Sequence, residues 1–351
     1  MKKIVLITGS CGLVGASCSE FFSKKGFKII GIDNNTRERL FGKLGSINKI
    51  KYYLKEKISD YTHFDLDICD EKNIEDLFKE YKFDLIIHAA AQPSHDWAKK
   101  YPLFDFKINA YGTLILLENF RKYNSQAVFI FLSTNKVYGD KVNYLPFVEL
   151  EKRFDLLPSH PYYKGVDEKM GVDNTLHSLF GASKLSADIL VQEYGKYYGL
   201  KTACFRCGCI SGKFHCGVEL HGFLSYLVRC FILNKKYVIY GYKGKQVRDN
   251  LHAYDLAKAF YLFYLNPKYG EIYNLGGGRF SNVSVLEAIS ICEKICGKKI
   301  EIEYKDENRI GDHIWWITDN SKFKKDFPDW ELTYNVEKII EEIYLFQKNN
   351  F

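Results

Sequence analysis

Short apolar runs rich in β-branched residues alternate, through the first half of the chain, with longer stretches of helical period. Ile4 to Ile7 predicts a strand, and Leu13 to Lys25 a helix that Gly26 stops, glycine being at ease in the left-handed C-terminal position. Phe27 to Ile32 predicts a second strand ending at Asp33. Glu71 to Tyr81 reads as an amphipathic helix, Asp84 to His88 as a strand, and Leu103 to Tyr123 as a long helix. Ala127 to Leu132 is a further strand, Phe180 to Tyr198 a further long helix, and Thr202 to Arg206 the strand after it. Strand–helix–strand order repeated in this way calls for an α/β fold, a doubly wound parallel sheet with helices on both faces. Beyond Gly208 the elements shorten, with loops such as Gly241 to Lys245 and Gly276 to Gly278. That predicts a smaller C-terminal α/β domain over the carboxyl ends of the strands.

Composition narrows the class. The chain has 351 residues, 46% hydrophobic, 26% charged and 16% aromatic, which excludes a disordered or low-complexity protein. Its net charge of +7 is dispersed rather than blocked into a tail, a weak sign of an anionic ligand and no case for nucleic acid. Ten irregularly spaced cysteines fit buried thiols in a reducing compartment better than a disulfide framework. No apolar run approaches the roughly 20 residues of a membrane span, and Ile4–Ile7 runs straight into Thr8-Gly9 rather than forming a leader's apolar region. A cytoplasmic protein is expected.

The first chemical signal is Thr8-Gly9-Ser-Cys-Gly12-Leu13-Val14-Gly15 between the first strand and the first helix. Gly9 permits a tight turn, Gly12 lets backbone approach a pyrophosphate, and Gly15 lets helix pack close to strand. The helix N-terminus, at Leu13 and Val14, then offers free amides to the phosphates. Asp33, with Asn34 beside it, stands 18 residues past Gly15, near the ~20 expected of the acid that binds the adenosine ribose. A carboxylate there repels a 2′-phosphate, so NAD is favoured over NADP. Arg37 is read as a solvated arginine at the edge of this site, and Asp67-Ile68 as the flank of the adenine. Residues 1–205 are accordingly expected to form a Rossmann-type NAD-binding domain. Residues 206–351 are expected to form mainly the substrate domain, with segments such as 245–265 returning to the first.

Several further motifs follow in order: His88-Ala89-Ala90-Ala91, Asn109, Val137-Tyr138-Gly139, Gly181-Ala-Ser-Lys184, Gln246-Val-Arg248-Asp249 and Asn274-Leu-Gly276-Gly277. With the glycine loop and Asp67-Ile68 they make the chain resemble, over nearly its whole length, the extended short-chain dehydrogenase/reductases, the class of nucleotide-sugar epimerases and dehydratases. The resemblance implies that Ala89, Ala90, Ala91, Asn109 and Lys184 serve the cofactor. It implies that Gln92 and His95 face the sugar, and that Thr134 hydrogen-bonds the sugar oxygen being oxidised. Family dehydratases carry an Asp-Glu acid/base pair directly after that threonine. Asn135 and Lys136 stand there instead, and an amide and an ammonium cannot do that work. Ser133-Thr-Asn-Lys-Val-Tyr-Gly-Asp140 is most similar to the CDP-paratose (CDP-tyvelose) 2-epimerase group. The implied reaction is reversible oxidation at C2 of a CDP-linked sugar through a 2-keto intermediate, with Arg248 and Arg309 clamping the diphosphate. A UDP-linked sugar epimerised at C4 is the rival.

The family's base is a tyrosine four residues before the lysine, on the same helical face. Here that place holds Phe180. A phenyl ring neither takes nor gives the proton, so an inactivated variant is expected. Three accounts stay open: a deliberate Tyr→Phe substitution, a natural chain that binds NAD and a nucleotide sugar without turnover, or a base supplied by His95, His177 or Tyr163. Cys204, Cys207 and Cys209, with His215 and Cys216 close by, are read as structural cysteines, with no metal expected. Trp315-Trp316 are read as packing. The two long helices imply, by the same resemblance, a homodimer or homotetramer.

Overall fold

Four of the five residues in each of the first two strands are buried, and all four of Leu85–His88. Such runs must be covered on both faces, which is the condition of a parallel sheet. The computed structural model describes residues 2–219, 221–308 and 311–350 and meets that condition. Its first lobe is framed by β1 (Ile4–Thr8), α1 (Leu13–Lys24), β2 (Lys28–Ile32), β3 (Tyr61–Phe64), α2 (Glu71–Glu80), β4 (Leu85–His88), α3 (Gly112–Tyr123), β5 (Val128–Thr134), α4 (Ser178–Tyr198) and β6 (Lys201–Cys207). After it come β7 (Cys209–Ser211), α5 (Phe223–Leu233), β8 (Tyr237–Tyr240), β9 (Val247–His252), α6 (Ala253–Leu265) and β10 (Tyr269–Leu275). The chain closes with β11 (Asn282–Ser284), α7 (Val285–Cys296), β12 (Ile302–Lys305), β13 (Trp315–Trp316) and α8 (Val336–Asn350).

Seven strands lie in the order β10-β6-β5-β4-β1-β2-β3, every neighbouring pair parallel. The order reverses between β1 and β4, where Thr8 lies opposite His88. Ligands bind at such a switch point, outside the carboxyl ends of the strands. One sheet face packs under α1 and α6, with Phe22, Phe205 and Phe260 in its core, and the other under α2, α3 and α4.

After β9, which pairs with β7, β11 and β13, the chain returns to the first lobe. α6 lies on α1 through Tyr254 and Tyr261 against Phe21, and β10 then extends the sheet beside β6. A glycine pair makes room for it: a Cβ on Gly195 of α4 would stand 2.2 Å from the Gly270 nitrogen. The second lobe keeps its own core, where α5, α7 and α8 bring together Leu227, Phe231, Ile289 and Ile339. Ser284 and Glu287 close a capping box at the start of α7.

The helix expected over Leu103 to Tyr123 is not continuous. Pro102–Phe106 is α-helical, Lys107–Tyr111 opens into a π-helical turn, and α3 resumes at Gly112. Asn109 sits inside that turn, and its carbonyl accepts from Thr113 Oγ1 at 2.6 Å. π-Turns of this kind concentrate at functional sites. Trp315 and Trp316 are packed as read, Trp316 stacked on Tyr138 at 5.7 Å. Among the described residues no helix is long and apolar enough to cross a membrane.

Candidate active site

A cavity of about 510 Å³ opens at the switch point and runs between the two lobes. Its inner wall is the glycine loop. Gly9 has a φ of +65°, and a Cβ there would lie 2.9 Å from Ala90; a Cβ on Gly15 would lie 2.1 Å from the Gly9 carbonyl oxygen. Only glycines allow β1, β4 and α1 to converge this tightly. The N-cap of α1 is Gly12, which has no side chain to occupy the helix's first amides, so Leu13 and Val14 face the cavity with donors to offer. A cradle of backbone amides that a Cβ would fill fits a dinucleotide's pyrophosphate.

Asp33 stands at the end of β2 and lines the same cavity. Its carboxylate accepts from the Cys11 amide at 3.1 Å and the Asn35 amide at 3.0 Å, while burial pushes its pKa up. Asn34 donates to Asp67 at 3.1 Å, and Ile68 lies buried beside Asp67. Arg37 is not the solvated arginine expected. It is half-buried against the Phe41 ring and donates to the Cys216 carbonyl at 2.7 Å, so its guanidinium is already engaged.

Ala89, Ala90 and Ala91 line the cavity past β4. Behind them a buried chain of hydrogen bonds fixes the wall: the Ala90 amide donates to Thr8 Oγ1, which lies 2.7 Å from His88 Nδ1, and His88 Nε2 lies 2.9 Å from Thr113 Oγ1. Burial holds the His88 imidazole well below its ordinary pKa.

Gln92 and Asn109 sit in this buried wall and are not among the residues that line the cavity. Gln92 donates to the Ser94 carbonyl and to Asp105, and accepts from the Ser94 amide. Asn109 accepts from the Gln92 amide and donates towards the Gln92 carbonyl, Asp105 and Ser183. Both amides are spent, so both residues act by positioning. Asp105, which sequence reasoning passed over inside a helical stretch, is the hub: its other oxygen accepts from Ser183 at 2.5 Å. Ser183 precedes Lys184, so the network holds the start of α4.

Lys184 is 3% exposed, yet lines the cavity. Its Nζ donates to the Leu132 carbonyl at 2.8 Å and lies 4.0 Å from the Phe131 ring centroid. Burial brings the ammonium down to about 8. Thr134, Asn135 and Lys136 line the cavity together with Phe180 and His95. Thr134 Oγ1 accepts from the Lys136 amide at 3.2 Å, and Lys136 Nζ donates to the Gly311 carbonyl at 2.7 Å. Arg248 also lines the cavity, while Arg309 lies outside the described residues.

Of the three substitute bases considered from sequence, only His95 borders the cavity. Tyr163 packs under Arg279, 4.0 Å from ring centroid to guanidinium, and His177 is not a lining residue. Two features had no sequence signal. Ser178, the first residue of α4, has a φ of +62° and meets His95 Nδ1 at 2.9 Å. Asp188, one turn beyond Lys184, forms a fully buried pair with Arg206 at 2.7 Å. The cysteines Cys204 and Cys207 end β6 as buried thiols, and among the described residues no group of three or more metal-binding side chains assembles.

A model of the NAD dependent epimerase/dehydratase family matches residues 5–276. The chain belongs to this family. Its cofactor is NAD. Among its relatives is the CDP-paratose 2-epimerase of Salmonella typhi, 29% identical over 348 residues that cover 97% of this chain and 98% of that one. A dTDP-glucose 4,6-dehydratase of Escherichia coli is 30% identical, covering 92% and 87%. Among solved structures, the UDP-glucose 4-epimerase of Bifidobacterium longum, in complex with NAD+ and UDP, matches with a TM-score of 0.81 at 24% identity, over 99% of each chain.

Proposed function

We propose that this enzyme is a cytoplasmic nucleotide-sugar 2-epimerase acting on a CDP-linked sugar. The carrying observation is the cavity wall at Thr134-Asn135-Lys136, which lines the same cavity as Lys184 and the glycine cradle. Thr134 lines the cavity, which supports its holding the reacting sugar oxygen, and an amide and an ammonium stand where an acid/base pair would be needed to expel a hydroxyl as water. The end-to-end likeness to the CDP-paratose 2-epimerase supports both the nucleotide and the carbon.

Gly9, Gly12, Gly15, Asp33, Asn34, Asp67 and Ile68 would hold NAD+, which when bound would supply a reversible acceptor for a hydrogen with its electron pair. Thr134 orients the sugar oxygen. Lys184, dry and pinned to Leu132, sets a positive charge beside the reacting groups in a medium where charge acts strongly. Arg248, with Arg309 beyond the described part, provides for the diphosphate. Leu103, Phe106, Leu179 and Ile189 are exposed apolar side chains on the helical segments expected to pair between copies, which supports a homodimer or homotetramer.

The test is isotopic. CDP-paratose deuterated at C2 is expected to turn over more slowly than the protiated sugar, and C4 labelling to have no effect. An effect at C4 with UDP-hexoses, and none at C2, would replace this reading by a 4-epimerase. Phe180 favours one second reading, a protein that holds NAD and the nucleotide sugar without turnover. It expects bound ligands in the mass spectrum of the denatured protein and no epimer formed, even by Phe180→Tyr.

A further inference from the structure

Oxidising a sugar carbinol releases a proton, and Phe180 provides nothing to receive it. The groups around it can be taken in turn. Burial pushes the Cys207 thiol up and the Cys209 thiol to about 11. Lys184 and Lys136 are cations bound to carbonyls. Asp33 and Asp67 stand at the adenosine end. His215, in the second lobe, is lowered by burial to about 3. Asp312, next to Gly311, acts on Cys209 and Tyr242 and is the rival acceptor that the His95 variants distinguish.

His95 is different. Its ring centroid lies 5.0 Å from that of Phe180, the planes at 66°, and it borders the cavity with Phe180, Thr134 and Lys184. Its Nδ1 is fixed at 2.9 Å by Ser178 Oγ, which also accepts from the Gly181 amide. Ser178 carries a φ of +62°, a left-handed conformation that a non-glycine residue adopts only under strain. The strain sits two residues before Phe180 and aims a hydroxyl at the imidazole. Gly311 closes over the ring, where a Cβ would stand 2.9 Å from Nδ1. An imidazole oriented by a second group beside the reacting position is the arrangement of a general base.

We infer that His95 replaces the missing phenolate as the proton acceptor and donor of the epimerisation, with Ser178 as its positioning residue. This rests on the 2-epimerase reading. As the sugar's O–H bond breaks, the proton passes to His95 Nε2 and the bonding pair becomes the second C–O bond. The hydrogen on the carbon leaves with its own pair to oxidised NAD. Return of both from the other sugar face restores imidazole, NAD+ and the epimeric alcohol, so no outside oxidant is needed.

Measured on the full chain with NAD and CDP-paratose, His95→Gln and His95→Asn should each lower kcat about 10²–10⁴-fold. Calorimetry should find their affinity for CDP nearly unchanged. Adding Phe180→Tyr to His95→Gln should recover at least ~10²-fold, because the phenol resumes the task. Ser178→Gly, which suits the backbone, should lower kcat but not CDP affinity. Apart from turnover, diethyl pyrocarbonate should modify His95, read by peptide mass spectrometry, and saturating NAD with CDP-paratose should protect it. A His95→Gln protein at the parent rate overturns the inference. So does a parent chain silent towards CDP-paratose while Phe180→Tyr is active, and in both cases the 2-epimerase reading stands. If no variant, Phe180→Tyr included, reacts at C2 of a CDP-sugar, that reading itself fails and the inference with it.

Discussion

Replacing Lys184 with methionine removes a charge that the fold holds against its own interest. Burial brings the ammonium from 10.5 to about 8. Between those two values the unfolded chain binds more protons than the native one, so this group makes stability rise with pH across that window. The buried lysine costs stability by about 3 kcal/mol at pH 7 and by about 1 kcal/mol at pH 9.5, where the native amine is already largely neutral. Methionine forfeits the bond to the Leu132 carbonyl and, while the lysine is charged, the approach to the Phe131 ring, together about 1–2 kcal/mol at pH 7 and about 1 kcal/mol at pH 9.5. Lys184→Met should therefore be more stable than the parent by about 1–2 kcal/mol at pH 7, with that advantage gone at pH 9.5. Urea unfolding of protein stripped of NAD reads this directly; bound NAD would add its own mass-action term. Turnover should fall in the same variant, since a neutral thioether gives the reacting groups no charge. A Lys184→Met protein less stable than the parent at pH 7, or a difference that ignores pH, would refute the account of Lys184 as a buried, functionally retained cation.

Gly15→Ala puts a methyl 2.1 Å from the Gly9 carbonyl oxygen and 2.6 Å from Ser10 Cα, both backbone atoms with little room to give. It should cost about 1–3 kcal/mol in urea unfolding and weaken NAD at least about tenfold by calorimetry, because α1 must move off the phosphate cradle. Asp188→Ala strands the Arg206 guanidinium, which is 4% exposed. A drop of about 3–5 kcal/mol is expected from the unpaired buried charge, and a loss under 1 kcal/mol would mean that Tyr138 alone satisfies it.

The sheet was legible because its strands are buried on both faces and its helices are not. β1, β2, β4 and β5 fall within two residues of the apolar runs that predict them. Two features escaped. The π-turn at Lys107–Tyr111 arises from side chains competing for backbone, Thr113 for the Asn109 carbonyl and Asn109 for the Gln92 backbone, inside a stretch whose periodicity still reads as helix. The return of β10 depends on Gly195 and Gly270 meeting across 75 residues of sequence, a contact that no local pattern announces.

The two halves of the site differ in the same respect. The cofactor half is written in backbone requirements, and a glycine loop followed by an acid states them locally. The proton-handling half is written in contacts. That Phe180 lacks a hydroxyl is plain from the residue itself, but what stands in its place depends on His95 and Ser178, 83 positions apart, and on a positive φ that serine does not advertise. Motif membership likewise could not separate Thr134, which lines the cavity, from Gln92 and Asn109, which lie behind it with their amides consumed. A tyrosine lost from a conserved-looking frame therefore says little about activity until the neighbours of the vacated position are known. Here the nearest of them is an imidazole already held by a strained hydroxyl, which is the reason to measure the parent chain before repairing it.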